Sequence, residues 1–273
     1  MKFSQFFLKS AGISMLAALT LTGCAGGGPL IKENLDGVKS VAVIGVYSAK
    51  QLRILGNNNP GPIGSLRAMS NLVQGKNLDG DLPIELIDYS RDVYPAELAK
   101  VRGWRVIPYS HYLGSAQYKK AHDEFVSKSN SSSRWITGAK GMEGVVSRDR
   151  KFVELFKAFA KATGADAVIV IQMDMSYGST GVAVNSFGKA RAYVGSGVTV
   201  IGKDGKVLVE SGNPMNSKNI RVESDDALPW LAGDIIYNDL TRKCFQNAIK
   251  KSAANLAKVL NTEMSTPPKI AAK

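Results

Sequence analysis

Side chains able to carry covalent or acid–base chemistry are few in this chain. There are two cysteines, Cys24 and Cys244, and two histidines, His111 and His122. A Ser-His-Asp hydrolase would need one of these histidines as its general base, yet no Gly-x-Ser-x-Gly nucleophile elbow accompanies either. They stand 11 residues apart in the chain, not at the i, i+4 spacing that puts two imidazoles on one metal ion. Two cysteines are also too few for a four-cysteine zinc site, so no metal is expected. The acid pairs Asp79/Asp81 and Asp225/Asp226 could serve as acid and base in a wall-cleaving glycosidase, but neighbouring loop acids near a helix start commonly act as caps. The run GSTGVAVNSFGKAR at 178–191 has the glycines and lysine of a phosphate cradle. It precedes a strand instead of opening a helix, so its amides would not converge with a helix dipole on a phosphate. No catalytic residue, metal ligand or cofactor-binding residue emerges, and the expectation is a protein that is not an enzyme and takes no cofactor.

The side chain with a defined chemical context is Cys24. Residues 1–10, MKFSQFFLKS, carry Lys2 and Lys9 and no acid, and residues 11–22 are uncharged and mostly apolar. That is the layout of a signal peptide. Its apolar run of about 12 residues falls short of the roughly 20 that a bilayer-spanning helix needs. It ends in Leu21-Thr22-Gly23-Cys24, which resembles the lipobox of bacterial lipoproteins. The resemblance implies cleavage between Gly23 and Cys24, a thioether-linked diacylglycerol on the Cys24 thiol, and a further acyl chain, palmitate or similar, on the freed amine. Two or three chains anchor a protein stably, at about 0.8 kcal/mol per buried methylene. Ala25 follows the cysteine where an aspartate would signal inner-membrane retention, so the resemblance favours the outer membrane, with the protein facing the periplasm.

Charge narrows the partners. The chain has 35 basic and 23 acidic residues, and loss of 1–23 leaves 33 against 23, a formal +10. A basic domain held at an envelope is attracted to anionic lipid head groups and to the phosphates and carboxylates of envelope polymers. An exported, lipid-anchored protein is not expected to meet nucleic acid. With 44% hydrophobic and 21% charged residues the mature chain can bury a core.

The elements follow from pattern. Residues 24–39, beginning CAGGGP, read as a lipidated N-terminus and flexible tether, 40–262 as one α/β domain and 263–273 as a disordered tail. VAVIGVY at 41–47 has the length and β-branching of a strand buried on both faces. A loop at 56–64 and a helix near 65–75 follow. Residues 76–90 are ambiguous in pattern, with Leu82–Ile87 able to form a short strand interrupted by Pro83, and a helix runs from Pro95 to about 102. WRVIPYS at 104–110 reads as a strand placed at an edge or stopped by Pro108, and a helix covers about 115–127. The Ser-, Gly- and Asn-rich stretch 127–147, which holds Trp135, reads as a long loop. A helix over 148–163 carries Phe152, Leu155, Phe156, Phe159 and Ala160 on one face, with Ser147 as N-cap, Asp149 in the first turn and Gly164 as a left-handed cap. DAVIVIQMDM and KARAYVGSGVTVIG are strands, and KDG at 203–205 turns the second into KVLVES, a hairpin signal. Residues 212–228 look irregular. The chain closes with a helix over about 233–261, its apolar face made by Ile236, Leu240, Cys244, Ile249, Leu256 and Leu260. Cys244 is therefore expected to be a buried free thiol.

This order, with KATGADAVIVIQMDM at its middle and VTVIGKDGKVLVES after it, resembles the α/β domain shared by CsgG, LpoB and the N-terminal domain of TolB. The resemblance covers about 40–260 and implies a mixed β-sheet packed by helices, with a β-hairpin and a long C-terminal helix. It also implies a non-enzymatic periplasmic module that binds a partner protein or self-associates. The segments 48–103 and 111–147 exceed the minimal domain. Two alternatives stand beside an envelope binding or assembly accessory. One is a subunit of an outer-membrane secretion complex or pore, for which 171–201 is the stretch able to supply membrane strands, though Asp174, Lys189 and Arg191 interrupt a lipid-facing band. The other is a cell-wall or lipid hydrolase.

Overall fold

The β-branched runs of the sequence become the middle of a mixed sheet. The computed structural model describes residues 31–32, 35, 37–50, 53–55, 82–129, 136–146, 153–178, 187–211, 222–226, 228–231 and 239–265. The strands are β1 (Ile31–Lys32), β2 (Ser40–Ala49), β3 (Arg53–Leu55), β4 (Arg105–Ile107), β5 (Ile136–Gly138), β6 (Ala167–Gly178), β7 (Phe187–Gly202), β8 (Val207–Glu210), β9 (Val222–Glu223) and β10 (Leu228–Leu231). The helices are α1 (Leu82–Leu98), α2 (Ala116–Ser129), α3 (Val153–Thr163) and α4 (Asp239–Ser265).

Across the sheet the order is β1-β8-β7-β6-β2-β4. The neighbours β4, β2 and β6 run parallel, and β6, β7, β8 and β1 are successively antiparallel. Short strands extend the far ends: β5 pairs with the end of β2, β3 with the end of β6, and β9 and β10 with the first half of β7.

Alternation sorts side chains to the two faces. Val41, Val43 and Val46 of β2, with Ala167, Ile169, Ile171, Met173 and Met175 of β6, join Leu86, Ile87, Tyr94 and Leu98 of α1 and Phe245, Ile249, Leu256 and Leu260 of α4. Ala42, Ile44 and Tyr47, with Val168 and Val170, join Tyr118 and Phe125 of α2 and Leu155, Phe156 and Phe159 of α3. The result is a three-layer sandwich with two helices on each face. At about 1.5–3 kcal/mol for each large apolar side chain fully buried, these two clusters are what hold the layers together. In the second cluster Phe159 meets the rings of Tyr118 and Phe125 at centroid distances of 5.3 and 5.8 Å.

The expected mixed sheet, the β7–β8 hairpin and the long closing helix are all present. Gly164 ends α3 at φ +68°, and its N–H reaches the Ala160 carbonyl at 2.9 Å. Phe156, Phe159, Leu155 and Ala160 are buried as the helical stripe requires, while Ser147, Asp149 and Phe152 lie outside the described residues. So do the expected helix at 65–75, Trp135 and Ile236. Pro108 does stop β4, which is an edge strand in the sheet order.

Several expectations need correcting. Residues 82–98 form one helix, not a strand followed by a helix at 95–102. Leu86, Ile87, Tyr94 and Leu98 share one buried face at helical spacing. Pro83 falls in the first turn, where the missing N–H has no intrahelical partner to lose, and Pro95 falls in the last. The stretch 127–147 holds the last turn of α2 and the strand β5 as well as loop. Ile31–Lys32, placed in the tether by composition, pair with Val209 and Glu210. Helix α4 continues to Ser265, three residues into the expected tail, and Leu240 in its first turn is 43% exposed instead of lining the core.

Candidate functional site

One sheet face changes character halfway along β6. The α2/α3 face is apolar at Val168 and Val170, then turns polar at Gln172, Asp174 and Ser176. Strand β7 answers with small or polar residues at the same register: Gly197 opposite Gln172, Gly195 opposite Asp174 and Tyr193 opposite Ser176. Tyr47 on β2 lies beside Gln172 and donates its hydroxyl hydrogen to the Oε1 atom at 3.1 Å. Asp174 is 1% exposed and Ser176 is fully buried, with no hydrogen-bond partner for its Oγ. Buried polar groups on a sheet face are expensive to keep without a role. The patch lies toward the carboxyl ends of the parallel strands β2 and β6, where open α/β sheets most often place their ligand sites. With Asp174 and Ser176 both buried, the patch presents neither group to solvent.

Of the sequence-predicted chemical groups, His122, Asp225 and Cys244 lie elsewhere and are engaged in structure. His111 lies in the 3-10 turn Tyr109–His111 that follows β4, not at a strand end, and its side chain is exposed. His122 sits on α2 as expected, with its ring stacked on Tyr118 at 6.3 Å and its Nε2 atom 2.8 Å from the Glu143 carbonyl oxygen. The Asp123 carboxylate lies 3.6 Å from Nδ1. The carboxylate of Asp225 is held by Lys251 and accepts from the Asn247 amide at 3.2 Å. The Lys251 hydrogen bond, with Asn247 beside it, keeps the Asp225 carboxyl below the usual carboxylate range. The Asp226 backbone carbonyl accepts from Ser224 Oγ at 2.8 Å and from Cys244 Sγ at 3.7 Å. Cys244 is 1% exposed, and burial pushes its thiol pKa up, as suits an unreactive core thiol.

Two further networks went unseen in the sequence. Between α1, β7 and α4, Tyr94, Ser196 and Ser252 share hydrogen bonds while wholly buried, and desolvation raises the Tyr94 pKa. On the other face, β4 leaves β2 after Ala42 and β5 joins it only at Tyr47, which uncovers the carbonyls between them. A register shift between Val43 and Gly45 marks the same place. Tyr112 and Tyr118 fill the gap by donating their hydroxyls to the Val43 and Ile44 carbonyls, and Ala139 N–H takes the Val46 carbonyl at 2.9 Å. Burial raises both tyrosine pKa values, so both remain donors at any physiological pH. Both networks satisfy buried backbone or side-chain groups and need no ligand to explain them.

A cleft of about 620 Å³ opens between the last turns of α1 and α4, lined by Glu97, Lys100, Ala254, Ala257, Lys258 and Asn261. Asn261 occupies itself with the Arg102 N–H at 2.7 Å and the Lys100 carbonyl at 3.2 Å, closing the end of α1. Among the described residues no group of three or more His, Cys, Asp or Glu side chains is placed to hold a metal ion, and no helix is long and apolar enough to cross a membrane. Cys24 and Gly23, the acids Asp79 and Asp81, and most of the glycine-rich loop lie outside the described residues. No protein-family model matches the chain, and no curated protein matches it either.

Proposed function

We propose that this protein is a lipid-anchored lipoprotein of the outer membrane, facing the periplasm, and that its α/β domain serves as a non-enzymatic binding or assembly accessory of the envelope. The observation that carries this reading is Leu21-Thr22-Gly23-Cys24 at the end of a 12-residue uncharged run. A cysteine in that setting is an acyl acceptor, and acylation fixes where the domain works. Support for a binding role comes from how the reactive groups are used. His122, Asp225 and Cys244 are each committed to hydrogen bonds that hold the fold. The partner is an envelope protein or a second copy of the chain.

Metabolic labelling with a palmitate analogue is expected to mark the wild-type chain and leave Cys24→Ser unlabelled, with the variant released from the membrane fraction. Equal labelling of the two would remove the anchor and, with it, this assignment.

A further inference from the structure

The end of the sheet at which β2, β4 and β6 begin is a cationic surface. Lys39 precedes β2, and its carbonyl accepts from the N–H of Arg105, the first residue of β4, at 2.8 Å. The Asp166 carboxylate accepts from the Lys39 N–H at 3.2 Å and lies 3.6 Å from Lys203 Nζ. Lys206 belongs to the same turn between β7 and β8. Lys161 is in the last turn of α3, just before β6. Lys100 and Arg102 follow α1 and are tied to Asn261 of α4, which sits one turn beyond Lys258.

With Glu154 and Lys157 of α3, whose first turn packs on Gly205, nine basic residues thus share this end with four acids whose side chains are described. Each of those acids is already paired: Glu97 with Lys100 at 2.6 Å, Glu154 with Lys157 at 2.6 Å, Asp166 with Lys203 at 3.6 Å and Asp204 with Lys206 at 3.9 Å. Lys39, Arg102, Arg105, Lys161 and Lys258 are exposed and have no carboxylate partner among the described residues. Cations near helix C-termini complement the helix dipole, which accounts for Lys161 in the last turn of α3. It does not account for Lys39 and Arg105 at strand starts.

We infer that this end docks on a bilayer bearing anionic phospholipid head groups and so sets the orientation of the domain. The inference rests on the lipid anchor proposed above. The chain geometry permits it: Ile31 pairs with Glu210, which lies opposite Thr199, three residues along β7 from the Gly202 end of the sheet. That places the start of β1 about 10 Å from the cationic end. The seven residue steps from Cys24 to Ile31 reach at most about 25 Å. An anchor on Cys24 can therefore bring this end against the head groups, where each basic residue contributes about a fivefold preference for an anionic over a neutral surface.

The test uses the mature chain purified from membranes and reconstituted in vesicles of phosphatidylcholine alone or of phosphatidylcholine with about a third phosphatidylglycerol. Lysines are acetylated by a water-soluble reagent and quantified by mass spectrometry, which also reports the acylation of Cys24. Docking predicts at least about threefold slower reaction at Lys39, Lys161 and Lys258 on the anionic vesicles, lost at high salt as screening shortens to a few ångströms. Lys243, exposed and 18 residues before Asn261 on α4, lies about 27 Å away and should react equally on both. The triple variant Lys39→Glu, Arg105→Glu, Lys161→Glu should lose the difference at Lys258 while keeping the wild-type circular dichroism.

An acylated chain whose lysines react alike on both vesicles would overturn docking and leave the anchor standing. An unacylated chain would sink the anchor. In that case protection of the same lysines on sedimented anionic vesicles would still support docking, and its absence would overturn it.

Discussion

Asp166 closes the seam where the chain enters β2. Its Oδ2 atom accepts from the Lys39 N–H, the Ser40 N–H at 3.0 Å and the Ser40 hydroxyl at 2.9 Å. The Ser40 hydroxyl bond does most to hold its pKa below the ordinary 3.8, with the two backbone N–H groups and Lys203 adding to it. A carboxyl whose folded pKa is depressed contributes stability that is present above 3.8 and lost as pH falls through the lower folded value. Asp166→Asn should therefore cost about 1–2 kcal/mol in urea unfolding at neutral pH, and the gap to wild type should close as the titration is taken into acid. A gap independent of pH would show that the carboxylate is not the group that matters. Tyr118 gives a second case, since its hydroxyl lies 3.2 Å from the buried Ile44 carbonyl. Tyr118→Phe keeps the ring against Phe159 and leaves that carbonyl without its donor, for an expected loss of about 1–2 kcal/mol at unchanged circular dichroism. A loss below about 0.3 kcal/mol would mean that water or backbone replaces the hydroxyl.

The turn between β7 and β8 makes a sharper demand on its residue. Gly205 adopts φ +82°, and a Cβ there would collide with Val153 at the start of α3. Gly205→Ala should cost about 1–3 kcal/mol, from strain and from displacement of α3, and thermal unfolding would register it as a lower Tm. An unchanged Tm would mean that the hairpin turn is not packed on α3. This turn was legible in advance because Asp204-Gly205 between β-rich runs has one favoured geometry. Helix α1 was not, because Pro83 was read as interrupting a strand and Pro95 as opening a separate helix, although the spacing of Leu86, Ile87, Tyr94 and Leu98 carries the helical period. Strand β5 could not be seen in Ile136–Gly138 because three residues hold no periodicity, and its pairing with Tyr47–Ala49 is set by tertiary contacts. Leu240 misled in the opposite way, since it fits the period of α4 yet lies in its first turn, where 43% of it remains exposed.

The arrangement of layers followed from pattern because burial on both faces of β2 and β6 requires helices on both faces. The polar patch around Asp174 did not, since it depends on pairing Gln172, Asp174 and Ser176 with Gly197, Gly195 and Tyr193 of another strand. The cationic end is likewise a property of assembled strand starts, drawn from residues as far apart as Lys39 and Lys258. Cys24 is the reverse case, because the chemistry implied by Leu21-Thr22-Gly23-Cys24 is entirely local. The proposed role at the envelope depends on that one thiol carrying lipid. The most direct measurement is the intact mass of the mature chain extracted from membranes, with fragmentation to read its first residue. The account predicts a chain that begins at Cys24 and carries a diacylglyceryl group with a further acyl chain. An unmodified Cys24, or a mature chain that begins at any other residue, would contradict it.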